Sequence, residues 1–167
     1  MGMEGYGDGG GRMGNGDYMD VIHDLIDNRR SITRKYTNTS EGIESFTYSD
    51  NLDVGSWIQT HVDQMATLME SGSGCIRRWD DLFDELCEQR DLHEMKEILD
   101  TTEMVDGVKV YGVHVNQTVV DGDLSDEEAN CAKALIQNHA EVVTKFLTRG
   151  RKEMRDNHPV PMECEGV

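Results

Sequence analysis

The segment IQTHVDQM, residues 58–65, returns later in the chain as IQNHAEVV, residues 136–143, with the histidine at the same place in both. At about 100° per residue, each histidine falls inside the apolar arc of a helix. The first arc contains Val54, Ile58, His61, Met65 and Leu68, and the second contains Ala132, Leu135, Ile136, His139, Val143 and Phe146. The sequence therefore predicts two equivalent amphipathic helices, each with a histidine on its buried face.

The elements that precede these helices are repeated as well. Apolar residues at helical spacing start at Tyr18 and again at Trp79, and each run leads into a β-hairpin, around Glu41–Gly42 and around Asp106–Gly107. We therefore predict an α+β fold made of a duplicated helix–hairpin–helix unit. Its four-stranded, mainly antiparallel sheet would carry one layer of helices and a pseudo-twofold axis, and two loosely joined lobes are the alternative.

Composition and capping residues set the expected boundaries. Residues 1–16 are glycine-rich and predict a disordered tail, and Asp17 is the expected N-cap of the first helix. A single duplicated domain should span 17–161, with repeat one at about 17–74 and repeat two at about 75–150. Ser125 should cap the last helix, which should run from Asp126 to about Arg149. His158–Pro159 should form a C-terminal turn beyond which no helix continues. Residues 162–167 are expected to be flexible.

The charge restricts the classes of partner. Sixteen Lys and Arg against 33 Asp and Glu give a formal net charge of -17, which repels nucleic acid and anionic membrane surfaces. A basic protein partner and a homodimer both remain open. No stretch is long and apolar enough for membrane insertion, and the chain as written carries no export signal. A cytoplasmic location is therefore expected, with export of a trimmed precursor as the alternative.

The four cysteines, Cys75, Cys87, Cys131 and Cys164, contain no CxxC pair. Their spacing does not match a zinc finger, and their number is low for a disulfide scaffold. Because Cys87 and Cys131 fall on or beside apolar helix faces, we expect both to be buried, unreactive thiols.

A buried imidazole needs a partner for each nitrogen, because an unpaired polar atom loses its hydration. Backbone carbonyls, carboxylates, tyrosine hydroxyls or a metal can meet that need. If the two repeated helices face each other, His61 and His139 could share a transition metal or haem iron, with Met65 as a thioether ligand. Val143 stands at the position matching Met65, so such a site would be asymmetric. The alternative is a pair of structural histidines.

Longer segments resemble a family of small, largely bacterial proteins of unknown function. The resemblance covers roughly Val21 to Pro161 and rests on the Gly-Val hairpin turn, the I-x-x-H helices, IRRWDDLFDEL and the C-terminal NHPVP. It implies that His23 joins His61, His139 and Met65 as a motif position. A set of three histidines and a methionine favours copper, iron or haem over magnesium or calcium.

The predicted function is therefore binding of a transition metal or haem for sensing, storage or electron transfer. The alternative is a non-catalytic interaction or assembly module in which the histidines are structural. Glycine-rich nucleotide loops, a calcium-binding loop and a nucleophile elbow are all absent from the sequence. An enzyme that uses one buried histidine as its base, in a pocket between the two copies, is a third and weaker option.

Overall fold

The computed structural model describes residues 15–71 and 75–167. The helices are α1 (Asn15–Asp27), α2 (Leu52–Ser71), α3 (Asp81–Glu88), α4 (Asp126–Arg149) and α5 (Arg151–Met154). The strands are β1 (Thr33–Asn38), β2 (Gly42–Ser49), β3 (His93–Val105) and β4 (Val108–Val119). Short 3-10 helices occupy Arg29–Ser31, Arg90–Leu92 and Met162–Cys164.

The strands form one antiparallel sheet in the order β1-β2-β4-β3. Each predicted hairpin is present, and the two hairpins pair with each other through β2 and β4, where Ser45 lies opposite Val115. The α+β class and the four-stranded antiparallel sheet are therefore confirmed. The alternative of two loosely joined lobes is wrong, because backbone hydrogen bonds between β2 and β4 join both hairpins into a single sheet.

The second hairpin turns at Asp106 and Gly107. Their φ angles are +50° and +81°, which is the left-handed pair that a two-residue hairpin turn needs to match the twist of its strands. Asp tolerates this region better than most residues and Gly adopts it freely. The Asp-Gly pair therefore fixes the register of the longest pair of strands.

The two long helices lie on the same face of the sheet. Helix α2 packs Val54 and Ile58 against Val113, and α4 packs Ile136 and Ala140 against Ile43. Ile43 pairs with Gln117, and alternation along β4 places Gln117 on the same face as Val113. Within 15–71 and 75–167, no strand residue of the opposite face belongs to a core cluster, and Leu99 there is 51% exposed. We call this face the uncovered sheet face.

Capping residues set where two of the helices begin. Ser125 accepts a hydrogen bond from the backbone N–H of Glu128, whose carboxylate accepts one from Ser125 in return, a capping box that confirms the predicted start of α4. Helix α1 begins at Asn15, so Asp17 lies inside it and is not its N-cap. Residues 1–14 lie outside the described residues, and for them the disordered tail stays a prediction.

One predicted position beside α3 is wrong. Trp79 does not pack on the apolar stripe of α3, because Asp80 caps that helix and leaves Trp79 before it, 58% exposed. The last long helix runs from Asp126 to Arg149, which confirms its predicted bounds, and it ends before His158–Pro159. Gly150, at a φ of +65°, ends it, since this conformation cannot continue a right-handed helix.

The cysteines form two disulfides, Cys75–Cys87 and Cys131–Cys164. The expectation that Cys87 and Cys131 are free thiols is therefore wrong. The expected flexibility of residues 162–167 is also wrong at Cys164, which is 5% exposed and tied to α4. Sequence spacing could not show this pairing, because the C-terminal segment returns to α4 only in the folded chain. Within 15–71 and 75–167, no helix combines the length and apolar composition that a bilayer crossing requires.

Candidate ligand-binding cavity

A cavity of about 660 Å³ lies between the helices and the covered face of the sheet. Most of its wall is apolar and includes Ile22, Ile26, Leu68, Phe83, Phe146 and Leu147. Polar side chains interrupt this wall, among them Arg34, Ser45, Thr47, His61, Gln117 and His139. The wall also carries the charged residues Asp63, Glu70, Arg77, Arg90, Asp91 and Glu94. Because Trp79 also lines the cavity and is 58% exposed, the cavity reaches the protein surface.

The repeated I-Q-x-H segment builds two walls of this cavity. Ile58 and Ile136 are 3% and 0% exposed and anchor their helices in the core. The glutamines tie the same helices to the sheet. The Gln59 Nε2 atom donates to the carbonyl of Gly112 at 2.9 Å, and the Gln137 Nε2 atom donates to that of Gly42 at 3.1 Å. Sequence reasoning singled out the histidines and missed this positioning role of the glutamines.

His61 and His139 both line the cavity, one on each long helix. Burial lowers the pKa of His61 to about 4, and the positive charge of Arg34 lowers it further in the same direction. Burial likewise lowers the pKa of His139 to about 3, with Arg34 again as the next cause. Both imidazoles are therefore neutral at pH 7, so each offers one donor and one acceptor.

The ring nitrogens of these histidines are not saturated by the protein. The Nδ1 atom of His61 is buried without a hydrogen-bond partner. The ring of His139 packs edge-on against Phe83, with 5.1 Å between the ring centroids. In the part of the chain that the structure describes, no side chain or carbonyl forms a hydrogen bond with the His139 ring. Free nitrogens on a cavity wall can bind a ligand.

The other two candidate ligands, Met65 and His23, lie in different parts of the structure. Met65 lines the same cavity, as does Val143 at the matching place on α4. His23 is exposed on α1 and does not line the cavity, so the structure does not bring it together with His61, His139 and Met65. It lies off the apolar stripe that α1 buries, and the family resemblance, not the helix periodicity, suggested it.

Arg34 extends from β1 into the cavity. Its Nε atom donates to the hydroxyl of Thr144 at 3.3 Å, and its Nη1 atom donates to that of Thr47 at 3.1 Å. The guanidinium carbon lies 5.6 Å from the centroid of the Tyr36 ring. Burial lowers the pKa of Arg34 to about 10. The residue therefore stays charged at pH 7 in surroundings that disfavour the charge.

A second buried polar cluster joins the C-terminal segment to α3. The Nδ1 atom of His158 lies 2.6 Å from Oδ2 of Asp80, and its Nε2 atom lies 2.7 Å from Oε2 of Glu153. Arg77 donates to the same Asp80 oxygen at 3.0 Å. The hydrogen bond with His158 lowers the pKa of Glu153. Sequence reasoning placed His158 in a simple turn, although the Asp80 that caps α3 was a signal for a buried partner.

Among the residues that the structure describes, the remaining potential ligand groups do not form a metal site. Glu85, Cys131 and Cys164 bring potential ligand atoms within 4.8 Å of one another, but the two sulfurs are bonded to each other and cannot act as thiolates. The Nε2 atom of His93 lies 3.0 Å from the carbonyl of Leu86, which satisfies it. His114 lies on the uncovered sheet face and pairs with Glu103 at 2.9 Å. The cavity is therefore the best candidate site.

Comparison with known proteins found no relative of this chain. The chain matches no protein-family model, no curated protein and no solved structure. The functional argument therefore depends on the cavity itself.

Proposed function

We propose that this protein binds a small, largely apolar molecule in the cavity between the two long helices and the sheet. The observation that carries the proposal is a cavity of about 660 Å³ whose wall is mainly apolar. Protein cores are close-packed and rarely contain voids much larger than a water molecule. Sites for small molecules, in contrast, typically enclose about 300–1,000 Å³ and place a few polar groups in an apolar wall.

The polar groups support binding more than catalysis. His61 and His139 are neutral at pH 7, and the cavity wall contains no carboxylate or thiolate paired with either ring among the described residues. Such rings can orient a ligand by hydrogen bonds. The apolar wall would provide most of the binding free energy, at roughly 25 cal/mol for each Å² of apolar surface removed from water.

A neutral fluorescent probe tests this proposal. N-phenyl-1-naphthylamine becomes brighter in apolar surroundings and carries no charge, so it reports the cavity alone. We expect saturable binding to the wild type. The substitution Val143→Phe places a phenyl ring at the cavity wall and should weaken binding by about tenfold or more, with an unchanged or higher melting temperature.

The matched control is Leu99→Phe, which adds the same ring on the uncovered sheet face. Leu99 is 51% exposed and does not line the cavity, so this variant should bind the probe as the wild type does. Equal probe affinity in wild type and Val143→Phe would contradict the proposal, as would a wild type that does not bind the probe at all.

Haem is the second candidate, and the unpaired ring nitrogens favour it. His61, His139 and Met65 line one cavity, and neutral imidazoles are good ligands for haem iron. Of the three groups expected from the sequence, haem suits this site better than a copper or iron ion alone. The nearby cationic Arg34 repels a bare metal cation but can pair with a haem propionate.

Titration with haemin tests the second candidate. One equivalent should give a sharp, red-shifted Soret band, and His61→Ala and His139→Ala should each remove it. His23→Ala serves as the control, because His23 is exposed outside the cavity. Copper and iron are measured by elemental analysis of untagged protein. If neither haem nor either metal binds stoichiometrically, this candidate is wrong while the apolar-ligand proposal stands.

The disulfides support an oxidising compartment and not the cytoplasmic location expected from the sequence. Cys75–Cys87 and Cys131–Cys164 use every cysteine of the chain, and disulfides persist mainly outside reducing cytoplasm. Thiol titration of freshly purified, denatured protein should therefore detect almost no free thiol. A full complement of free thiols would contradict this placement.

Assembly of two copies is a separate proposal, supported by the uncovered sheet face. On that face Leu99 is 51% exposed, and the ring of Phe46 stacks on His114 with centroids 4.0 Å apart. An exposed apolar patch of this kind favours self-association. Light scattering should give twice the 18.8 kDa mass of one chain, and the substitution Leu99→Lys should return the monomer mass.

A further inference from the structure

Arg34 is a charged side chain in the cavity wall without an anionic partner. Within residues 15–71 and 75–167, no carboxylate forms an ion pair with it, and its hydrogen bonds go to the neutral hydroxyls of Thr47 and Thr144. Arg77 lines the same cavity but is neutralised differently. Its Nε atom pairs with Asp80 at 3.0 Å, and its Nη1 and Nη2 atoms donate to backbone carbonyls. Arg90 also lines the cavity and donates to the backbone carbonyl of Cys87. Arg34 differs from both, because its hydrogen bonds go to side-chain hydroxyls and burial lowers its pKa to about 10.

An unpaired charge of this kind is costly, because burial removes water that hydroxyl groups replace only in part. A buried cation usually pairs with a carboxylate or another anion. The chain has 33 acidic residues, yet none of those that the structure describes pairs with Arg34. The position beside Arg34 therefore suits an anion that comes from outside the chain.

Arg34 has N–H groups left over that can donate to such an anion. A guanidinium carries five N–H donors. One on Nε points to Thr144 and one on Nη1 to Thr47, which leaves three. Two parallel N–H groups on the terminal nitrogens match the two oxygens of a carboxylate. The threonine hydroxyls hold the guanidinium in place before a ligand arrives, which reduces the entropy lost on binding.

The surroundings of Arg34 favour a single anionic group. His61 and His139 are near enough for the charge of Arg34 to lower their pKa values, and both are neutral at pH 7, so neither adds a second cation. They can add one hydrogen bond each. Elsewhere the wall is mainly apolar but carries further charges, which are Arg77, Arg90, Asp63, Glu70, Asp91 and Glu94. One carboxylate matches the one guanidinium of Arg34, and these four acidic side chains disfavour a ligand with a second negative charge.

We propose that the cavity binds a monocarboxylic acid with an apolar body, whose carboxylate pairs with Arg34 while its apolar part lies between the helices and the sheet. This inference rests on the proposed apolar-ligand function and names its ligand class. The negative charge of the whole protein does not prevent binding, because surface charges are screened over about 8 Å at physiological salt and a partly buried pair is screened less.

Competition between two ligands of equal chain length tests the inference. Decanoate and 1-decanol are titrated against bound N-phenyl-1-naphthylamine. Decanoate should displace the probe from the wild type at a concentration about tenfold lower, or more. In Arg34→Met, which keeps the length of the side chain and removes its charge, this preference should disappear while the neutral probe still binds.

Lys35→Met is the matched control. It removes the same charge one residue away, from an exposed side chain on the other face of β1, and should keep the wild-type preference for decanoate. Equal displacement by acid and alcohol in the wild type overturns the inference and leaves the apolar-ligand function standing. This comparison needs no variant, so it decides even if Arg34→Met does not fold.

Three other outcomes also overturn the inference. If Arg34→Met retains the preference for decanoate, Arg34 does not bind the carboxylate. If decyl phosphate displaces the probe better than decanoate does, the ligand class is wrong. A wild type that binds neither the probe nor decanoate, measured directly by calorimetry, contradicts both the inference and the proposed function.

Discussion

Asp80 and His158, which are 78 residues apart in the chain, lie 2.6 Å apart between Oδ2 and Nδ1. Asp80 is 0% exposed and also caps α3 by accepting from the backbone N–H of Leu82. One carboxylate therefore starts a helix, pairs with Arg77 and holds the C-terminal segment. Asp80 therefore connects α3, the segment before it and the C-terminal segment.

Asp80→Ala should destabilise the protein by about 3–5 kcal/mol, because it leaves the buried Arg77 and His158 without their shared anion. Urea denaturation followed by circular dichroism measures the change in the free energy of unfolding. Asp84→Ala is the control, since Asp84 is 44% exposed and pairs with Arg78 at the surface. Its loss should cost less than about 1 kcal/mol. Equal effects of both substitutions would contradict a special role for Asp80.

Reduction should destabilise the fold through both disulfides, and unequally. Cys131–Cys164 spans 33 residues and Cys75–Cys87 spans 12. Loop-closure entropy then gives roughly 4 kcal/mol for the first and roughly 3 kcal/mol for the second. The melting temperatures of the double variants Cys131→Ser/Cys164→Ser and Cys75→Ser/Cys87→Ser compare the contributions of the two disulfides directly. The prediction fails if the double variant of the shorter loop is the less stable of the two.

Acidification should weaken the fold through the cavity histidines. Their folded pKa values of about 4 and about 3 lie below the ordinary 6.5, so below about pH 6.5 the unfolded chain binds more protons. The contribution of both residues to stability is therefore complete above about pH 6.5 and is lost progressively as pH falls towards 4. Buried His93, whose pKa is also lowered by burial, acts in the same direction.

Denaturation midpoints at a series of pH values from 7 to 5 measure this dependence. The double variant His61→Gln/His139→Gln should show a shallower slope than the wild type. His23→Gln, which changes an exposed residue outside the cavity, should retain the wild-type slope. An unchanged slope in the double variant would mean that these imidazoles are not the groups responsible.

Gly55→Ala should destabilise the contact between α2 and the sheet. A Cβ atom at Gly55 would lie 2.4 Å from the Cβ of Tyr111 and 2.7 Å from its carbonyl oxygen, so helix and strand would have to separate. Overpacking of this kind typically costs about 1–3 kcal/mol. Thermal melting measures the loss. Ser56→Ala, at the next and exposed position of the same helix, should melt at or slightly above the wild type, because alanine favours the helix. A comparable loss there would mean that the close approach to Tyr111 is not the cause.

Local signals predicted most of the secondary structure. The Asp106–Gly107 pair specified a tight turn, and Ser125 followed by Glu128 specified the start of α4. Both succeed because the interactions lie within a few residues. The covered sheet face could be predicted too, since Ile43, Ser45 and Thr47 alternate with residues of the other face.

The site was harder to predict because its polar groups come together only through the whole fold. Arg34 looks like any alternating strand residue, and its missing anion becomes visible only when β1, β2 and α4 surround it. The partners of His158 are likewise far away in the chain. The histidines of the I-Q-x-H segments were placed correctly on buried faces, but the periodicity of a helix does not show that the buried face borders a cavity.

The position of Arg34 on β1 links ligand binding to the least protected strand. β1 is an edge strand of six residues that pairs only with β2, so its amides should exchange with deuterium faster than those of the central strand β4. A bound carboxylate would hold Arg34, and with it β1, against the helices. Occupancy of the cavity should then slow exchange along this edge, which makes the edge strand a built-in reporter of the bound state.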